Sequence, residues 1–128
     1  MKTSSVLVVL VMLTLVSGCD SFRQGHSNAV NKLYVDLSML DNHGLYGPAD
    51  GLRSLSYEFC IPRDRENLQQ VQMIDVKAQV YGRSPGRIGC SQDQWLMVSD
   101  TQRPDYRQVL EALNEQDYID KIVPVWFE

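Results

Sequence analysis

Over residues 55–127 the apolar side chains switch between two rhythms, and the order of those rhythms leaves few folds open. Leu55, Tyr57, Phe59 and Ile61 occupy every second position as far as Pro62, the spacing of a strand with one buried face. Residues 64–75 predict a helix. Asp64 and Glu66 lie near its start, where carboxylates complement the dipole, and Leu68, Val71 and Ile74 form its inner stripe. Val76, Ala78 and Val80 return to alternation, residues 82–89 read as a Gly- and Pro-containing loop, and residues 95–98 predict a third strand. Tyr106, Val109, Leu110 and Leu113 stand at i, i+3, i+4 and i+7 of a second helix. Thr101 or Asp100 can cap that helix, and Pro104 suits its first turn, where a missing N–H costs little. Residues 122–127 predict a last strand. Pro124 within it removes one ladder donor, which an edge strand tolerates.

The order β-α-β-β-α-β predicts an α+β fold of the ferredoxin-like split βαβ type over residues 53–128: a four-stranded antiparallel sheet with both helices on one face. Leu33, Val35, Leu37 and Met39 alternate with polar neighbours and predict an extra N-terminal strand, and residues 41–51 are turn-rich. In this topology the first strand ends at Cys60 and the third begins just after Cys90, at the same end of the sheet. The two cysteines therefore meet at one corner. A bridge there stabilises the fold by about 3–4 kcal/mol in the chain-entropy view. Cys60 also falls on the polar phase of its strand, where a surface staple fits better than a buried thiol.

The N-terminus gives the address. Lys2 is followed by an apolar run over residues 6–16, too short for the roughly 20 residues of a bilayer-spanning helix. Small residues then lead into a cysteine, in the order of a cleaved leader. Leu15-Val16-Ser17-Gly18-Cys19 resembles the lipobox of bacterial lipoproteins. The resemblance covers only this segment. It implies removal of residues 1–18 as a signal peptide, and acylation of Cys19, palmitate included, which holds the protein to the cell membrane facing the periplasm. Asp20 resembles an inner-membrane retention signal in hosts that have such sorting. Residues 19–31 read as the lipidated cysteine with a flexible polar tether, and residues 32–128 as a single small domain. An exported chain with two cysteines left over after lipidation favours a disulfide between them.

Formal charge narrows the partners. The full sequence carries −4, and removal of Lys2 with the leader makes the mature chain one unit more negative. A general nucleic-acid binder needs the opposite sign, and none is expected. A nucleophilic Cys60 or Cys90 would need an activating cation, yet the two histidines, His26 and His43, sit in the tether and the turn-rich segment. No metal spacing occurs, so neither metal nor cofactor is expected, and Asp41-Asn42-His43-Gly44 reads as a turn. Residues 82–89 lack the ending and the following helix of a phosphate loop.

Two features remain for function. Arg63 and Arg65 follow the first strand, and Arg83 and Arg87 lie in the loop after the second, so the topology predicts all four at the disulfide corner. Guanidinium groups pair with carboxylate or phosphate, although Asp64 and Glu66 interleave with two of these arginines. Trp95 and Trp126 fall out of phase with Leu96, Val98, Val125 and Phe127, which would place them on the sheet face without helices, unless residues 33–40 cover it. The expectation is a lipid-anchored envelope protein with a non-enzymatic interaction or accessory role and an envelope protein as partner. The alternative is an enzyme or inhibitor that takes an anionic ligand at Arg63, Arg65, Arg83 and Arg87.

Overall fold

The structure is a computed structural model that describes residues 30–126. The leader, Cys19, Asp20, most of the tether and Phe127 lie outside the described residues. Among the described residues the fold is α+β, with two α-helices, a two-stranded sheet and a four-stranded sheet, both antiparallel.

The small sheet is a hairpin of β1 (Leu45–Tyr46) and β2 (Arg53–Ser54). The large sheet contains β3 (Ser56–Pro62), β4 (Gln79–Tyr81), β5 (Gln94–Asp100) and β6 (Ile122–Val125) in the spatial order β4-β5-β3-β6. The strand with the longest apolar alternation, β3, therefore lies inside the sheet, and β6 with its Pro124 lies at an edge, where the missing N–H leaves no inner ladder bond unmade. Helix α1 (Arg65–Ile74) joins β3 to β4, and α2 (Tyr106–Asn114) joins β5 to β6. Val71 of α1 and Tyr106, Val109, Leu110 and Leu113 of α2 share one core with Tyr57, Phe59, Ile61 and Met97.

Register shows how the alternation is used. Phe59 stands opposite Met97 on one side and Ile122 on the other, a fully buried row across the sheet. Glu58 stands opposite Val98 and Val123 on the other face. Asp64 caps α1 as its position suggests, its carboxylate accepting from the Asn67 N–H at 2.8 Å.

Four expectations need correction. Residues 33–39 do not form a strand. Leu33 makes a single parallel bridge to Ile122, and the chain then turns into a 3-10 helix, Leu37–Met39, because Asp36 accepts from the Ser38 N–H at 2.9 Å and the Ser38 hydroxyl at 2.6 Å. The second strand is shorter than its alternation, since the Asp75 carboxylate and carbonyl bond the N–H groups of Lys77 and Ala78 in a turn that leaves Val76 exposed. Neither Asp100 nor Thr101 caps α2. Asp105 holds the N-cap position without a side-chain cap bond, because its carboxylate grips the Arg103 guanidinium at 2.6 and 2.9 Å. Finally, Trp95 stands opposite Ile61 and packs against the helix-side core, so Leu96 and Val98, not Trp95, face the other way. The hairpin β1–β2 was not apparent in the turn-rich composition of residues 41–51.

Thr101 fixes that hairpin to the large sheet. Its hydroxyl donates to the Gly44 carbonyl at 2.5 Å and accepts the Leu55 N–H at 3.0 Å, and its own N–H donates to the Leu55 carbonyl at 3.0 Å. The approach requires glycine: Gly44 has φ of +74°, and a Cβ there would lie 1.6 Å from the Thr101 carbonyl oxygen. Gly44→Ala is expected to lower stability by at least about 2 kcal/mol, seen as a reduced denaturant midpoint. An unchanged midpoint would contradict this packing.

Candidate functional site

The two faces of the large sheet are finished differently. Helices cover one. Over the other, residues 82–90 fold back from the end of β4, turning on Gly86 at φ +64°, with the Cys90 N–H donating to the Pro85 carbonyl at 2.7 Å. Cys60, opposite Leu96 on this second face, is disulfide-bonded to Cys90 with the Cα atoms 5.5 Å apart. The bond lies at the sheet corner the topology predicts, and it ties the returning loop to the central strand.

Around this corner the arginines divide. Arg63 is held close, its N–H donating to the Asp93 carbonyl at 3.0 Å and its guanidinium to the Gly82 carbonyl at 2.7 Å. Arg63 and Arg83 line one open cleft of about 250 Å³ with Ser84, Cys90 and Gln92. Arg65 is exposed at the start of α1 and does not line that cleft. Arg87 is on the second sheet face, donating to the Trp126 carbonyl at 2.6 Å. The corner therefore gathers two of the four. Arg65 lies in the first turn of α1, and Arg87 is held on the second face by its bond to the Trp126 carbonyl.

The second face also carries a groove of about 400 Å³ walled by Tyr81, Leu96, Val98 and Val125, with Glu58 and Arg87 contributing charge. Glu58 is only 4% exposed. One of its oxygens, Oε1, accepts the Ile88 N–H at 2.5 Å, so the loop is held to the sheet by a charge-assisted bond as well as by the disulfide. Trp126 is half exposed and meets Tyr46 of the hairpin edge-on, with ring centroids 5.8 Å apart.

A third polar cluster lies on the helix side. The Tyr57 hydroxyl donates to Asp75 Oδ2 at 2.6 Å, and Asp75 Oδ1 accepts from Arg103 at 3.0 Å and from the Lys77 N–H at 3.1 Å. Asp75 has no exposure. Burial, and then the Asp75 charge, push the Tyr57 hydroxyl well above the usual tyrosine range, so it stays a donor. The Asp105 carboxylate holds Arg103 in its charged form, and Arg103 in turn draws Asp105 below the usual carboxylate range. With both oxygens of Asp75 engaged and no access to solvent, the cluster acts as a clasp between the end of α1 and the segment leading into α2. Sequence reasoning missed this cluster, although two signals were available: a tyrosine on the apolar phase of β3, whose hydroxyl needs a buried partner, and an acid at a helix C-terminus, where the dipole disfavours it.

Among the described residues, no group of three or more His, Cys, Asp or Glu side chains could hold a metal ion. Asp41 accepts the N–H groups of His43 and Leu45 at 2.8 and 2.9 Å, and His43 is exposed. No described helix is long and apolar enough to cross a membrane. No protein-family model, curated protein or solved structure matches this chain.

Replacing both Cys60 and Cys90 with serine is expected to lower stability by about 3–4 kcal/mol and to speed hydrogen exchange at the Ile88 amide. Retained protection at Ile88 would show that Glu58 alone holds the loop.

Proposed function

We propose that this chain is a lipid-anchored cell-envelope protein whose domain serves as an interaction or accessory module at the membrane surface. The observation that carries the reading is the Cys60–Cys90 disulfide: it is the covalent device of an oxidising compartment, and it leaves Cys19, at the end of the apolar leader, as the remaining thiol. In this reading residues 1–18 are removed, Cys19 carries diacylglycerol and an N-acyl chain such as palmitate, and residues 20–31 span the distance from the membrane on the periplasmic side. Asp20 favours the inner membrane where the host sorts by that position. The strand order β4-β5-β3-β6 with both helices in one core is the basis for reading the large sheet as a ferredoxin-like split βαβ unit. The binding surface is the second sheet face, since the helix face is filled by the core.

A second reading is favoured by the cleft that holds Arg63 and Arg83, for which no ion pair occurs among the described residues. Two guanidinium groups in one cleft suit a carboxylate or phosphate ligand of an inhibitor or enzyme. Pull-down after in-cell crosslinking separates the two: Arg63→Ala with Arg83→Ala leaves capture through the sheet face intact and abolishes capture that depends on the cleft.

Intact-mass measurement of the membrane-extracted protein tests the anchor. The expected species begins at Cys19 and carries acyl chains, and Cys19→Ser is expected to lose the acyl mass and leave the membrane fraction. A product that retains Met1 would overturn the reading.

A further inference from the structure

Glu58 sits where a carboxylate is costly. It lies on an interior strand, is 4% exposed, and stands opposite Val98 and Val123. Among the described residues it has no ion pair, so no cation there balances its charge. Its Oε1 is occupied by the Ile88 N–H, whereas Oε2 accepts no hydrogen bond from the described residues. Glu58 belongs to the wall of the 400 Å³ groove. Gly86 leaves space beside it, because a Cβ at that position would lie 3.0 Å from Oε2 and 2.6 Å from a Leu96 methyl. One acceptor of a deeply placed carboxylate is thus left uncommitted in a groove whose other walls are largely apolar.

The same groove holds one guanidinium. Arg87 uses Nη1 on the Trp126 carbonyl, which fixes its head, and no hydrogen bond from its Nη2 or Nε is formed among the described residues. A lone ammonium would gain from Glu58 and be opposed by Arg87, and a lone anion would meet the reverse. A ligand bearing both charges satisfies both groups, and Tyr81, Leu96, Val98 and Val125 accept its apolar part. The charge pattern therefore suits a zwitterion.

We propose that the groove on the second sheet face binds a short zwitterion with an apolar body, its ammonium on Glu58 and its anionic oxygens on Arg87. Two sources share this charge pair: a free apolar α-amino acid, whose side chain is the apolar body, and the ethanolamine phosphate headgroup of a membrane lipid, whose acyl chains supply it. The proposal rests on the reading of this face as the binding surface and names what it takes. It does not depend on acylation of Cys19.

The test is a titration of the full chain, labelled at its Leu and Val methyl groups, in non-ionic detergent. The probes are L-leucine, glycerophosphoethanolamine, 3-methylbutylamine and 4-methylpentanoate. Saturable shifts at Leu96, Val98 and Val125 are expected with at least one zwitterion. The amine and the acid, each lacking one charge, are expected to bind at least tenfold more weakly. Preference for L-leucine assigns the free amino acid, and preference for glycerophosphoethanolamine assigns the headgroup. Glu58→Gln keeps an oxygen for the Ile88 N–H and is expected to weaken the zwitterion at least tenfold. Arg87→Gln, at an exposed position, is expected to do the same. The proposal is overturned if neither zwitterion shifts these methyls, if the single-charge probes bind as well, or if both variants bind as the parent does. Failure of partner capture in cells with these shifts intact would instead count against the accessory role alone.

Discussion

The bond between Cys60 and Cys90 decides what the second face of the sheet becomes. A four-stranded sheet with helices on one side leaves its other side to water or to a partner, and the interior strand β3 would then expose the alternate half of its residues. Here the loop after β4 is drawn back across that side. Glu58 is covered, and a groove forms between the loop and the strands. The two ties are of different kinds. The disulfide restricts the unfolded chain as much as it holds the folded one, while the Glu58–Ile88 hydrogen bond acts only in the native state. Together they turn a flat surface into a shaped one.

The elements easiest to read were those whose pattern and burial agree. The alternation through Tyr57, Phe59 and Ile61 and the 3.6-residue stripe of α2 each describe one buried face, and each element stands where its pattern ends. Where short side chains bond their own backbone, the pattern misled. Asp36 and Asp75 each turn the chain within two residues, ending an alternation that composition alone would continue. The hairpin at Leu45–Tyr46 and Arg53–Ser54 is too short to carry a periodic signal, and it is held from outside by Thr101 and Gly44. Trp95 was misplaced for a related reason: both faces of β5 carry large apolar residues, so alternation could not say which faced the helices.

The site was legible in part. The meeting of the cysteines followed from strand order, and so did the nearness of Arg63 and Arg83. Arg87 could not be placed this way, since its guanidinium is held by the carbonyl of Trp126, a residue distant in sequence. Glu58 gave a weak signal, a charged residue in the middle of a strand rich in aromatic and aliphatic neighbours, and its cost becomes visible only when the returning loop covers it. The clasp of Tyr57, Asp75 and Arg103 depends on three separate segments meeting, which no local spacing encodes.

In the cell the loop of residues 82–90 is expected to be held covalently to β3 through Cys90 and Cys60. Peptide mapping without reductant, on protein alkylated at the moment of lysis, tests it most directly. A single cross-linked peptide pair joining Cys60 to Cys90 is expected. Alkyl groups on both cysteines would contradict it, and the covered second face would lose its basis.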